Sequence, residues 1–146
     1  MRIVKGLSLA VALSLSGAAS AEEPIQATLY KMPYCDCCEG HADYLREHGF
    51  DVKIEVTEDL TPLRRAEGVP EGLEGCHTIL VGDYVVEGHI SAGSIKRLMS
   101  ERPEGVTGIA MPGMPTGVPG MPGTHEGPID VYAFGPEIET SVFASE

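Results

Sequence analysis

Three cysteines, Cys35, Cys37 and Cys38, stand within four residues directly before a helix-like stretch. The fourth cysteine, Cys76, is followed at once by His77. Disulfide-rich scaffolds spread their cysteines along the chain to close long loops, whereas three cysteines in four residues close almost none. Thiols packed this closely are too crowded for an ordinary structural disulfide. The pattern favours a soft metal ion bound by thiolates, and Cu(I) is the first candidate.

The start of the chain has the pattern of a secretory signal peptide. A basic beginning precedes an apolar run at residues 7–15, and residues 19–21 form a small-x-small cleavage site. The apolar run is too short to span a bilayer. We therefore predict a cleaved signal peptide at residues 1–21, export to the periplasm and no membrane span in the mature chain. The remaining residues are enough for one domain with a modest core.

The chain is acidic, with a formal net charge of −12 at pH 7 from 22 carboxylates and 10 basic side chains. Proteins that bind nucleic acid present a basic patch to the phosphates, so we expect no nucleic-acid partner. The same charge disfavours binding to anionic lipid. We interpret most of these carboxylates as a solvated surface.

Hydrophobic periodicity predicts the element order β-α-β-α-β-β-α over residues 26–102. The predicted strands are the apolar or alternating runs at 28–30, 50–56, 78–81 and 84–87. The predicted helices are the amphipathic runs at 38–48, 60–67 and 91–102. A strand, a helix and a strand joined by short links imply a parallel βαβ unit. This order, with Cys-x-x-Cys after the first strand, resembles the thioredoxin-like fold, which implies an α/β protein with a four-stranded mixed sheet flanked by helices.

The thioredoxin-like resemblance also concerns the loop before the third strand. In that fold the loop carries a cis-proline and faces the Cys-x-x-Cys pair, but Gly75-Cys76-His77-Thr78 contains no proline. The resemblance implies that Cys76 and His77 return to face the first three cysteines. The missing proline argues against standard thioredoxin activity. A thiol–disulfide oxidoreductase and a small disulfide-stapled binding module stay open as alternatives.

Residues 103–146 form a Pro/Gly/Met-rich extension, which we expect to pack on the same domain. Its runs at 111–115 and 119–123 are a near repeat of Met, Pro and Gly, and residues 105–128 predict neither a regular helix nor a strand. The alternating run at 129–134 predicts one further strand near the C-terminus.

The choice of metal depends on the number of Cys-x-x-Cys pairs. Backbone N–H groups and the dipole at a helix N-terminus stabilise thiolates, and a helix beginning near Cys37 and Cys38 places both sulfurs there. Zn(II) takes the same sulfurs tetrahedrally, but its sites usually combine two such pairs and this chain has one. The spacing therefore favours copper over zinc.

Three histidines and two methionines are further candidate ligands. His41 lies one helical turn beyond the cysteines, so it either overhangs the metal or is an exposed helix histidine. His77 is either a ligand or a partner of nearby backbone groups, and His89 is a weaker candidate of the same kind. Met114 and Met121 carry thioethers that suit Cu(I), although loop methionines also cover apolar patches.

The chain resembles the CopG-type periplasmic copper-resistance proteins, a predicted metal-binding family. The matching segments are Tyr30-Lys31, Cys35-x-Cys37-Cys38, Leu45 with His48-Gly49-Phe50, Cys76-His77-Thr78, Glu87-Gly88-His89, Pro112-Gly113-Met114-Pro115 and Pro119-Gly120-Met121. The resemblance implies a thioredoxin-like fold, copper bound by the four cysteines and a role in copper tolerance. It also implies interconversion of Cu(I) and Cu(II), or copper relay with other periplasmic carriers or exporters.

Three positions of the first helix depart from the pattern of that family. Asp36 stands where a small residue is usual, His41 where tryptophan is common and Tyr44 where histidine is common. The histidine at 41 is one helical turn from the position where the family carries its own.

Overall fold

The computed structural model describes residues 23–146, which form a mixed α/β fold with one seven-stranded sheet. The predicted signal peptide lies outside the described residues. The strands are β1 (Ile25–Lys31), β2 (Phe50–Val56), β3 (Thr78–Val81), β4 (Tyr84–Glu87), β5 (Gly108–Ala110), β6 (Asp130–Phe134) and β7 (Ser141–Ser145). The helices are α1 (Asp36–Glu47), α2 (Thr61–Ala66) and α3 (Ala92–Glu101). No helix among these residues is long and apolar enough to cross a membrane.

The sheet has the strand order β2-β1-β3-β4-β5-β6-β7. The first two strands are parallel and are joined through α1, while β3 is antiparallel to both β1 and β4. The predicted mixed sheet flanked by helices is confirmed, and the predicted order of the first seven elements is observed. The parallel connection from β1 to β2 places the N-terminus of α1 at the same end of the sheet as the loop before β3.

The predicted number of strands, four, is wrong because the C-terminal extension supplies three more. Strand β5 pairs parallel to β4, and β6 and β7 follow as antiparallel neighbours. Strand β5 also contradicts the expectation that residues 105–128 contain no strand. Its three residues, Gly-Ile-Ala, are too few to show an alternating pattern, and all three are buried in the sheet.

The helices α1 and α3 bury their apolar faces in one core. Residues Cys38, His41, Ala42 and Leu45 are buried on α1, and Ala92, Ser94, Ile95 and Leu98 on α3. The Ser91 side chain caps α3 by accepting a hydrogen bond from the backbone N–H of Ser94 at 3.2 Å. Two candidate site residues, Cys38 and His41, are among these buried residues of α1, so the core borders the candidate site.

The Pro/Gly/Met segment between β5 and β6 lies against the first turns of α1. Gly120 has φ +78°, and a Cβ added there would overlap the backbone of His41. A Cβ added to Gly40 would lie 3.1 Å from the carbonyl oxygen of Gly120. The two backbones can approach this closely because both positions are glycine.

Replacing Gly120 with alanine is expected to lower the free energy of unfolding by about 2–4 kcal/mol, from backbone strain and from steric overlap. Gly127→Ala is the matched control, since Gly127 has φ +76° but nothing within 4 Å of an added Cβ. It should cost only the conformational part, about 1–2 kcal/mol. Urea unfolding of both variants measures the difference, and equal losses would contradict the close contact with α1.

Candidate metal centre

The four cysteine sulfurs meet at one end of the sheet. Cys35 precedes α1, Cys37 and Cys38 lie in its first turn, and Cys76 comes from the loop before β3. The Sγ of Cys76 lies 3.2 Å from that of Cys35 and 3.4 Å from each of the other two. All four sulfurs lie within 4.8 Å of one another. The structure thus brings together the four cysteines that the sequence singled out, and their role as ligands stays a prediction.

Cys35 and Cys38 are joined by a disulfide in the structure, while Cys37 and Cys76 are free. The argument that these thiols are too crowded for a disulfide is therefore wrong for this pair. The start of α1 holds the two Cα atoms 5.4 Å apart, which is within the range that a disulfide spans. A site of four thiolates consequently belongs to the reduced protein.

Burial is the largest cause of the raised pKa of the Cys76 thiol. Loss of solvation raises the pKa of Cys76 to about 12, and the hydrogen bond and charge of Cys37 act in the same direction. The nearby cation of Arg64 opposes the shift. The Cys76 thiol therefore keeps its proton near neutral pH unless a cation displaces it, as metal ions do when they bind thiols.

A buried ion pair holds the loop that carries Cys76. The guanidinium of Arg64 donates to Glu87 at 2.9 Å and to the carbonyl oxygen of Gly75 at 2.7 Å. The Glu87 carboxylate accepts from the backbone N–H of Gly75 at 3.1 Å and from the hydroxyl of Thr78 at 2.8 Å. This loop has no cis peptide bond, and neither has any other part of residues 23–146. The Arg64–Glu87 pair thus fixes this loop by bonding both peptide groups of Gly75.

Sequence reasoning missed the Arg64–Glu87 pair. The only signal in the sequence was the carboxylate of Glu87 at the end of an apolar strand of the hairpin. Burying a carboxylate without a partner is costly, so a buried Glu87 needs a cation beside it. Its partner comes from α2, a six-residue helix with no fully buried residue. Nothing in the sequence relates that helix to the hairpin.

The three candidate histidines form a second group behind the cysteines. His41, His77 and His89 are each no more than 1% exposed, and one ring nitrogen from each lies within 4.8 Å of the others. Burial lowers the pKa of His41 to about 3, with the charge of His89 adding to the shift. Burial also lowers the pKa values of His77 and His89. The three imidazoles are therefore neutral, which is the form that binds metals.

The methionines separate into two environments. Met114 is 64% exposed and, with Met32 and Tyr34, lines an open cavity of about 520 Å³ that reaches Cys35 and Cys76. Met121 packs against the hydrophobic core instead. The structure brings Met114 to the cysteine cavity and leaves Met121 outside its lining.

Comparison with known proteins identifies one family model and two solved structures that are similar to this chain. The family model described as a protein of unknown function, DUF411, matches residues 73–121. The solved structure "Copper resistance protein copG- Form 2" is 31% identical, covering 85% of this chain and 99% of its own, with a TM-score of 0.78. The structure titled Form 1 is also 31% identical, covering 85% of this chain and 98% of its own, with a TM-score of 0.77. A search of curated proteins gave no match.

The similarity to the solved structures extends over most of the chain. The matched family segment contains the Cys76 loop, the hairpin and the first part of the Pro/Gly/Met segment. The resemblance stated from the sequence motifs is therefore confirmed, and this chain belongs to the CopG family of copper resistance proteins.

Proposed function

We propose that the protein is a periplasmic copper-binding protein for copper tolerance, which holds Cu(I) with clustered cysteine thiolates. The observation that carries the proposal is the convergence of Cys35, Cys37, Cys38 and Cys76 within 4.8 Å. Soft thiolates select Cu(I), and sulfurs at this spacing are close enough to bridge neighbouring ions. The name of the similar solved structures, copper resistance protein, supports the choice of copper over zinc.

The surroundings of the cluster suit a thiolate site. The N-terminus of α1 directs free backbone N–H groups towards the first turn, where they offset thiolate charge. The Arg64–Glu87 pair fixes the Cys76 loop, so this sulfur is held in place before copper arrives. The open cavity beside Met114 gives copper and its carriers or exporters a route to the cluster.

The same residues support relay of copper or interconversion of its oxidation states. Thiols of Cys35 and Cys38 can reduce two Cu(II) ions to Cu(I), which forms the disulfide and releases two protons. In the reverse reaction two Cu(I) ions give one electron each and two protons are taken up, which restores the two thiols and leaves two Cu(II) ions. The disulfide between these residues supports the proposed cycle, because it is the product expected from their oxidation.

Two further proposals concern the fold and the domain organisation. We propose that β1 to β4 with α1 and α3 form a thioredoxin-like unit at residues 26–102, because their order and directions follow that topology. We propose that residues 103–146 belong to the same domain. Strands β5 to β7 extend its sheet, and the backbone of Gly120 contacts α1.

Anaerobic titration of the reduced protein with Cu(I) tests the main proposal, with bound metal counted by elemental analysis after desalting. We expect copper to be retained and to be lost when the thiols are alkylated beforehand. Retention of about one zinc ion and no copper would overturn the choice of metal.

A thiol–disulfide oxidoreductase is the second candidate function, and the Cys35–Cys38 disulfide is the observation that favours it. Cys35 is partly exposed at the cavity while Cys38 is fully buried, the arrangement expected of an attacking and a resolving thiol. Reduction of insulin disulfides by the metal-free protein measures this activity. A rate above that of dithiothreitol alone would favour this candidate over copper storage.

Replacing Met114 with leucine is expected to slow Cu(I) transfer from a chelated donor by about threefold to tenfold, since one soft ligand leaves the cavity mouth. Met121→Leu is the matched control because Met121 packs against the core. Stopped-flow transfer kinetics compare the two variants. Equal rates for both variants and the wild type would exclude a role of Met114 in entry.

A further inference from the structure

Three buried histidines come from three different segments of the chain. His41 lies on α1, His77 directly before β3, and His89 directly after the turn that follows β4. Their ring centroids are 4.7 to 5.1 Å apart. Ordinary packing seldom gathers three imidazoles in a core, because each carries polar nitrogens that need partners.

The hydrogen bonds of this histidine triad fix the position of each ring proton. The Nε2 of His41 lies 2.9 Å from the carbonyl oxygen of Ile90 and must donate, which leaves its Nδ1 as an acceptor. The Nε2 of His77, 2.7 Å from that Nδ1, must then be the donor. The Nδ1 of His89 donates to the carbonyl oxygen of Pro119 at 2.7 Å.

This assignment leaves two bare nitrogens in the core. The Nδ1 of His77 and the Nε2 of His89 are buried and have no hydrogen-bond partner among residues 23–146. Unpaired buried lone pairs are rare in folded proteins, so the Nε2 of His89 calls for a cation or a donor.

We propose that His41, His77 and His89 form a second metal site, separate from the four cysteines, that binds Cu(II). Two features mark it as a built site. His41 and His89 each donate their outer N–H to a backbone carbonyl, which is the bond that orients metal-binding histidines. The nitrogens that remain for a metal are the Nδ1 of His41 and the Nε2 of His89.

His77 completes the set through its Nε2, the nitrogen already facing His41. Its ring proton moves to Nδ1 when the metal binds, so the imidazole stays neutral and no net proton is released by this ring. The present separation of 2.7 Å between the His41 and His77 nitrogens then widens, since two ligands of one ion lie farther apart than two hydrogen-bonded atoms.

The donor atoms decide the oxidation state. An all-imidazole site suits borderline divalent ions, and Cu(II) binds such ligands more tightly than the other first-row divalent ions. The cysteines keep the soft Cu(I). The choice of copper rests on the proposed function, whereas the existence of a metal site rests on the histidine geometry alone.

The Pro/Gly/Met segment gains a role in this arrangement. The carbonyl oxygen of Pro119 orients His89, and the next residue, Gly120, packs on the backbone of His41. The segment thus covers the histidine triad and sets the direction of one ligand.

Electron paramagnetic resonance of the oxidised protein with one equivalent of Cu(II) tests the proposal directly. We expect a single Cu(II) species with hyperfine coupling to three nitrogens and no thiolate charge-transfer band. Nitrogen NMR spectra of the histidine rings, recorded with and without Zn(II), give a second measurement on the unaltered protein. There, shifts of His41, His77 and His89 are expected, and shifts confined to exposed His48 and His125 would overturn the site.

His41→Gln and His89→Gln are each expected to weaken Cu(II) binding at least tenfold. His125→Gln is the control, because His125 is exposed between β5 and β6 and its replacement should leave Cu(II) affinity unchanged. Unchanged Cu(II) spectra in both triad variants would contradict the proposal.

Cu(I) titration of the same reduced variants separates the two sites. Loss of Cu(II) binding with Cu(I) binding intact supports the histidine site and leaves the proposed cysteine function standing. Failure of the wild type to retain Cu(I), with Cu(II) still bound by the histidines, would refute the cysteine function alone.

Discussion

Cys76→Ser is expected to lower the Cu(I) affinity of the reduced protein on the order of 100-fold and to reduce the copper bound per chain. Loss of an outer-shell partner alone costs about 10-fold to 100-fold, so loss of a ligand should reach at least the upper value. The effect should be large because the Cys76 sulfur is the one within 3.4 Å of all three others. Competition with a colorimetric Cu(I) chelator under nitrogen measures the affinity.

Asp36→Ser is the control for Cys76→Ser, because it introduces a serine into the same cluster without removing a sulfur. Asp36 is exposed and begins α1, so its replacement should change Cu(I) affinity by less than about threefold. If both variants retained wild-type copper content, Cys76 would not be a ligand.

Glu87→Gln is expected to lower the free energy of unfolding by about 3 kcal/mol, because it leaves the Arg64 guanidinium without its buried counter-charge. The Glu87 carboxylate is fully buried and bonds Arg64, Gly75 and Thr78. Urea unfolding of the reduced, metal-free protein measures the loss. The folded variant should also show a looser Cys76 loop, seen as faster alkylation of this thiol.

Asp83→Asn is the matched comparison for Glu87→Gln. Asp83 pairs with Arg102 at 3.1 Å, but both side chains are largely exposed. Exposed ion pairs contribute about 0–1 kcal/mol, so this variant should unfold almost as the wild type does. Similar losses in both variants would mean that burial of the Glu87 pair adds nothing to stability.

Local periodicity was enough to predict the first half of the fold. The alternating run at 50–56 matches β2 at every residue, and the helix after Cys35 begins within two residues of its predicted start. Each of these elements has one apolar face, so its own sequence contains the signal. The predicted hairpin at 78–87 was visible for the same reason.

Strands β5 and β7 were not predictable in this way, whereas β6 (Asp130–Phe134) agrees with the strand predicted at 129–134. Strand β5 has three residues and β7 is largely exposed, so neither has a periodic apolar face of useful length. Their pairing depends on the edge that β4 offers, which is a property of the assembled sheet. The disulfide between Cys35 and Cys38 also depends on the assembled backbone, here the start of α1.

The candidate site was predicted by residue type, and the thioredoxin-like resemblance implied that Cys76 meets the other three cysteines, but the separation of cysteines from histidines was missed. The cysteines and three histidines were named from their motifs, but the sequence does not divide them into two groups. The division follows from the direction of α1, which points Cys38 and His41 inward one turn apart. The Arg64–Glu87 pair was missed because its members come from elements with no shared pattern.

Disulfide formation and the proposed copper binding compete for the same sulfur atoms. Cys35 and Cys38 are close enough for an external oxidant to join them in a disulfide, and the same sulfur atoms are the proposed copper ligands. Whichever of copper or oxidant reaches a newly folded molecule first decides whether that molecule can load Cu(I). The supply of reducing equivalents around the protein therefore limits the fraction of molecules that can use the proposed four-thiolate site.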